Sequence, residues 1–219
     1  MTQTQQDTRT RTRRQQAALK TREKLIEAAI LCMAEYGPAG VTLDRVTDTA
    51  GVSRGLVRHH FGGKRQLLIS AFERLADEQR AKFNGGDTAI EHDPVATLRA
   101  TVAASLRDAV GSRSRAHAWF GFWQAALRDP ALGEINERLY ADERNRYIEL
   151  FRAAAQQQGL AIDEHQAGRG LQALADGMWN ELVIDTKDFG IEEALELCNR
   201  FIDLTLKEGR AAQEESSAG

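Results

Sequence analysis

The 219-residue sequence predicts an all-α protein of about nine helices. Strong helix formers (Ala, Leu, Glu, Gln and Arg) dominate a chain with only three prolines and no Val/Ile/Thr-rich runs. Between Gly and Pro breaks, apolar residues recur three and four positions apart, the period of a helix face. No apolar stretch approaches the roughly 20 residues that span a bilayer, and no signal-peptide core follows the start. The expectation is a soluble cytoplasmic protein with no membrane partner.

Residues 1–20 are polar, rich in Gln, Thr and Arg, and read as a disordered basic arm. Over 22–36, Leu25, Ile26, Ala29, Ile30, Met33 and Tyr36 share one helical face, and Gly37-Pro38-Ala39-Gly40 stops it. Thr42 caps the next helix, with Asp44 in its first turn near the positive end of the dipole. Gly51 ends that helix, Ser53 caps a third, and Gly62-Gly63 breaks again before a longer helix over 64–83. Asn84-Gly85-Gly86-Asp87 marks a domain boundary. Further helices are expected over 94–110, 116–127, 131–158, 163–185 and 191–207, followed by a frayed tail over 209–219. The predicted division is an arm (1–20), an amino-terminal domain (21–84), a carboxy-terminal domain (85–208) and the tail.

Cys32 and Cys198 stand singly in helical patterns with no partner at ligand spacing, so neither a disulfide nor a metal site is expected, and no cofactor is called for. The net charge of −3 is unevenly spread. The first 80 residues carry 14 Lys+Arg against 9 Asp+Glu, and the remaining 139 carry 15 against 23. A basic amino-terminal part joined to an acidic remainder suits one domain on a polyanion and another away from it.

The segment 41–68 carries the most chemistry. Two short helices joined at Ala50-Gly51-Val52 form a helix-turn-helix, in which the first helix braces the second and the second meets the major groove of double-stranded DNA. Val46, Ala50, Val52, Leu56, Val57 and Phe61 form the packing set. Gly55 removes a side chain where the backbone nears DNA. Arg54 and Arg58 suit guanine, whose O6 and N7 a guanidinium bonds together, and His59 lies on the same helix. Thr42, Ser53, His60 and Lys64 sit at or near helix starts and suit phosphates.

The pattern T-L-x-x-V-x-x-x-A-G-V-S-x-G-x-x-x-x-H-F-x-x-K-x-x-L resembles the amino-terminal domain of TetR-family transcriptional repressors. Thr42, Ala50-Gly51-Val52-Ser53, Gly55, Phe61, Lys64 and Leu67 stand at the matching places over 22–83. The resemblance implies an all-helical homodimer released from a palindromic operator when a small molecule fills its carboxy-terminal domain. His60 stands where the family usually has tyrosine, and Arg58 where many members have Tyr or a small residue. Both departures bear on operator preference. The arm around Arg9, Arg11, Arg13 and Arg14 is either an extra phosphate or minor-groove contact or a solubilising tail.

Trp119, Phe122 and Trp123 cluster on one helix, and Asp176, Trp179 and Asn180 fall at i, i+3 and i+4 on another. Aromatic faces with a carboxylate can hold a quaternary ammonium, whereas aromatics at this spacing also fill cores. A-W-x-x-F-W, Asp129-Pro130 and L-x-A-L-x-D-G-x-W resemble the BetI-type subgroup, which controls glycine-betaine synthesis from choline. That resemblance implies choline or betaine aldehyde as effector. Asn180-Glu181-Leu182 departs from the more apolar or basic residues of that subgroup.

Leu171, Leu174, Met178 and Leu182, then Leu195, Cys198, Ile202 and Leu206, mark apolar faces on the last two helices. In the family the corresponding helices pack against their two-fold mates, setting two reading helices about 34–36 Å apart. Two alternatives stay open at this point. One is the same switch tuned to a cationic drug or an apolar metabolite. The other is an all-helical enzyme, although His92, His117 and His165 are scattered without a carboxylate or nucleophile at useful spacing.

Overall fold

A computed structural model describes residues 3–84, 93–185 and 187–218. Among them the chain forms nine helices and no strand: α1 (Gln3–Gly40), α2 (Leu43–Ala50), α3 (Arg54–Phe61), α4 (Lys64–Asn84), α5 (Pro94–Gly111), α6 (Arg113–Ala126), α7 (Pro130–Gln158), α8 (Glu164–Ile184) and α9 (Ile191–Ala218). None is long and apolar enough to cross a membrane.

The termini differ from expectation. Helix α1 already runs from Gln3, because nothing between there and Gly37 breaks a helix that the face at Leu25–Met33 anchors. The side chains through Thr12 lie outside the described residues. Helix α9 likewise continues past Lys207 to Ala218, through Ala, Gln and Glu that favour the helix. Gly37 takes φ 63° and kinks α1 just before Pro38, so the expected stop is realised as a bend.

The chain divides into two compact units, Met1–Leu75 with His117–Gly133, and Ala76–Ala116 with Glu134–Gly219. The expected boundary at Asn84-Gly85-Gly86-Asp87 falls largely outside the described residues. The units part instead within α4, at Leu75, and the aromatic stretch of α6 joins the first unit.

Its packing gives the reason. Phe122, fully buried, stacks on Phe72 of α4 with ring centres 4.9 Å apart and planes 1° from parallel. Trp119 meets the same ring edge-on at 5.5 Å. Between them Gly121 lets α6 approach α1 closely, since a Cβ there would lie 2.7 Å from the Met33 side chain and 3.2 Å from its carbonyl. Leu25, Ile30, Met33, Val46, Val57 and Leu67 complete this core.

In the second unit Leu98, Leu106, Leu150, Phe151, Leu171 and Cys198 are buried across α5, α7, α8 and α9. Gly168 brings α8 onto α7, where a Cβ would meet the Ile148 amide nitrogen at 2.9 Å. Peripheral ion pairs, Arg80–Asp142 at 2.9 Å and Arg99–Asp203 at 2.6 Å among them, tie helices at the surface. Exposed pairs of this kind contribute little each.

Phe122→Ala would empty the stack on Phe72 and is expected to cost about 3–5 kcal/mol, the range for a fully buried phenylalanine. Urea unfolding of the purified protein measures it, and a loss below 1 kcal/mol would show that the ring is not part of a tight core.

Candidate functional site

In the first unit α2 packs along α1, and α3 packs on α2. Thr42 caps α2 by accepting from the Arg45 amide at 3.3 Å, and Gly51 closes it in the left-handed conformation at φ 66°. Ser53 stands at the N-cap of α3 with no side-chain cap bond, which leaves its hydroxyl outward. Val57 and Phe61 turn inward, and the Arg22 guanidinium sits 5.2 Å above the Phe61 ring while reaching Ser70 Oγ at 3.3 Å.

The opposite face of α3 carries the expected readers. Thr42, Ser53, Arg54, Gly55, Arg58 and His59 are exposed, and His60 and Lys64 are half-buried. A Cβ at Gly55 would have only Ser53 Oγ nearby, at 4.0 Å, so the glycine leaves open ground beside the two arginines. Arg54 is ion-paired with Asp44 of α2. Both groups are more than half exposed, so the pair is one that phosphates or bases can exchange.

A residue the sequence reading missed is Arg65, directly after Lys64. Its Nε and Nη2 donate to the two carboxylate oxygens of Asp129 at 2.8 and 2.7 Å, a fork that holds the Asp129 carboxyl below its ordinary range. Asp129 also accepts from the Ala131 amide at 3.0 Å and so caps α7. The signal available in sequence was the Asp-Pro pair at a helix start, but its partner 64 residues away leaves no local trace.

The six residues expected to form one aromatic cage fall into two units. Trp119, Phe122 and Trp123 lie in the first, where Trp119 and Trp123 rings are 5.9 Å apart and Phe122 is spent on Phe72. Asp176, Trp179 and Asn180 lie on α8 in the second, with Trp179 buried and the other two half-buried.

Around Asp176 the structure assembles groups that the sequence reading did not single out. Tyr140, Glu143 and Tyr147 recur at i, i+3 and i+7 on α7, one face of that helix. Glu143 is buried, and side-chain hydrogen bonds from Gln172 of α8 and Gln79 of α4 reach its carboxyl. Gln172 also donates to the Tyr140 carbonyl at 3.1 Å. Burial pushes Glu143 up to about 8, with the Asp176 charge adding to the shift, and burial alone pushes Asp176 up to about 6. Tyr147, fully buried, and Tyr140, half-buried, are driven above their ordinary values by desolvation and by these acids.

The apolar residues expected on the last two helices are mostly turned inward. Leu171, Leu182, Cys198, Ile202 and Leu206 are buried within the protomer, and Leu174, Met178 and Leu195 are half-buried. The physical reason is that α8 and α9 pack on each other and on α5, which uses their most apolar stripe. The face left open on α9 carries Leu197 and Leu204, with half-buried Phe201 between them.

Residues 94–207 match the family described as BetI-type transcriptional repressor, C-terminal, and residues 25–71 match the bacterial regulatory proteins of the tetR family. A relative from Paraburkholderia phymatum, named HTH-type transcriptional regulator BetI, is 32% identical over 87% of this chain and 95% of its own. One from Chromohalobacter salexigens, named HTH-type transcriptional regulator BetI 2, is 28% identical over 90% and 94%. These are regulators, not enzymes. Among solved structures, a transcriptional regulator from Pseudomonas aeruginosa PAO1 superimposes with a TM-score of 0.74 at 27% identity, over 83% of this chain and 88% of its own. A regulator from Saccharomonospora viridis, determined in complex with choline, has the same fold, with a TM-score of 0.73 at 20% identity over 83% and 95%.

The buried acid has a consequence for stability. Because its folded value lies above the ordinary 4.5, Glu143 holds its proton more tightly folded than unfolded. That contribution is complete below about pH 4.5 and is lost as pH rises through 8. Relative to Glu143→Gln, the wild-type protein is expected to lose on the order of 3 kcal/mol between pH 5 and 9. Parallel urea titrations of the two proteins check this, and curves that keep a constant separation would contradict it.

Proposed function

The chain belongs to the BetI-type branch of the TetR family of bacterial transcriptional repressors, and on that premise we propose that it binds a palindromic operator as a homodimer and releases it when a small organic cation of the choline class occupies the second unit. The observation that carries the DNA half is the outer face of α3, where Arg54, Gly55, Arg58 and His59 stand exposed with no core role. Arg54 and Arg58 read bases, while Thr42, Ser53, His60 and Lys64 hold phosphates.

The effector half rests on Asp176 and its surroundings, with Trp179 and Asn180 on the same helix. A half-buried carboxylate among tyrosines is the chemistry a quaternary ammonium needs. The choline held by the Saccharomonospora viridis regulator and the BetI names of the relatives support that ligand class. Control of choline-to-glycine-betaine genes follows as part of the same proposal.

For the switch to work, the ligand must favour a form of the dimer whose two α3 helices no longer match the operator spacing. A ligand with equal affinity for both forms shifts nothing. The dimer face is assigned to Leu197, Phe201 and Leu204 of α9, the apolar row its own protomer leaves uncovered.

Two measurements test this reading. With a duplex from upstream of the protein's own gene, fluorescence anisotropy is expected to show release by choline and at least tenfold weaker binding for Arg54→Ala, while Lys64→Ala weakens binding and lowers the salt slope by about one. Affinity indifferent to salt and to both changes would overturn it. In sedimentation, Leu204→Glu with Leu197→Glu is expected to convert a dimer into folded monomers, since neither side chain is buried in the protomer. An unchanged dimer would move the interface elsewhere.

A further inference from the structure

Among the described residues, the strongest influences on Glu143 come from acids and amides rather than from a base. The charges it feels most strongly are Asp176 of α8 and then Asp142 of its own helix, and both are negative. The groups that hydrogen-bond it, Gln172 from α8 and Gln79 from α4, are neutral. Tyr140 and Tyr147 lie near it on its own helix, which also carries Arg146 and Glu149 along the same cleft, and Cys198 from α9 acts on Tyr147. The basic residues nearest along the wall are Arg80, already paired with Asp77 and Asp142 at 2.8 and 2.9 Å, and Arg146, one turn further along α7.

A second observation is independent of the acids. Tyr147 is 1% exposed, and its hydroxyl has no hydrogen-bond partner among the described residues, although Glu143 and Asp176 both act on it. Buried hydroxyls without a partner are rare, because the group has given up water for nothing. A third concerns access. Glu143 lines a cleft of about 470 Å³ together with Arg80, Phe83, Arg146 and Glu149, and the Phe83 ring meets Tyr147, which does not itself line the cleft, edge-on at 5.8 Å. That size falls within the roughly 300–1,000 Å³ of small-molecule sites.

We propose that Glu143, Asp176 and Tyr147 form the charge-recognising end of the effector site, and that an organic cation binds there in exchange for the proton that Glu143 carries, which passes to solvent. The proposal rests on the effector reading above. It adds Glu143 and Tyr147 as ligand contacts and makes binding a proton exchange.

Near neutral pH the empty site holds Glu143 protonated beside an ionised Asp176, because two unscreened negative charges cannot both be kept in a buried position. An arriving cation supplies the missing positive charge, so Glu143 ionises and the site stays near neutral overall. Tyr147 then donates its free hydroxyl to an oxygen on the ligand, which a bare tetraalkylammonium lacks. Affinity therefore rises with pH up to about 8, where Glu143 is already ionised in the empty site, and flattens above it.

Calorimetry on the full chain at pH 7, with choline chloride and with tetramethylammonium chloride, in two buffers of different ionisation heat, reads the exchange directly. The expected result is release of close to one proton per cation, and choline affinity rising by up to about tenfold between pH 6 and 7. Glu143→Gln should abolish both the release and the pH dependence. Tyr147→Phe should weaken choline severalfold and leave tetramethylammonium unchanged. Equal heats in the two buffers with choline bound would overturn the proton exchange while leaving the effector reading intact, and this needs no variant. Binding of neither cation between pH 6 and 9 would overturn the site and the effector reading together, with DNA binding by α3 unaffected.

Discussion

An eight-residue helix does not hold its shape alone in water, since nucleation outweighs the few hydrogen bonds that two turns supply. Helices α2 and α3 are both of that length, so the geometry of the DNA-reading face is borrowed from tertiary packing. Val46 and Val57 are buried to about 1% exposure, and Phe61 is pinned under Arg22. Left-handed glycines at 51 and 62 end each helix where the next must turn. Remove the packing and neither the arginines proposed to read bases nor the helix starts proposed to hold phosphates have a fixed position. The Phe72–Phe122 stack belongs to the same dependence, because α4 begins at Lys64, one of the proposed phosphate contacts, and is held further along by that ring pair.

The two units treat charge in opposite ways. On the α3 face of the first, Arg54 and Arg58 are kept exposed, Arg54 in an exposed pair with Asp44, so that a polyanion can take them over at small cost. In the second, Glu143 is buried and Asp176 half-buried, and the desolvation of each disfavours its charged form. A solvated site recognises DNA through many weak, salt-screened contacts. A desolvated one recognises a small ligand through very few contacts, each of which matters.

Most of the helical framework was readable from local residues. Breaks at Gly51, Gly62 and Gly159 and caps at Thr42 and Asp163 are signals contained within a turn or two, and the helices begin and end beside them. The outward face of α3 was legible for the same reason, since a face two turns long repeats within the segment. What stayed hidden depends on distant partners. Nothing near Phe122 says that Phe72 will take its ring, and a tryptophan-rich stretch reads equally as a cage or a core. Glu143 looks like a surface residue in a charged run until α8 and α4 bring Asp176, Gln172 and Gln79 to it. The apolar stripe on α9 was visible, but which side of it meets the protomer is decided by α5 and α8, not by α9 itself.

The placement of α3's outer residues bears on how such a protein can change over generations. Arg54, Gly55, Arg58 and His59 are exposed, so substitutions there carry almost no thermodynamic penalty, and if they read DNA as proposed, the sequence recognised can drift freely. Glu143 and Tyr147 lie in the opposite situation: exchanging either disturbs a packed interior along with any ligand contact. A lineage carrying this architecture can acquire new target genes by single surface replacements, whereas a new chemical signal requires coordinated changes in the interior.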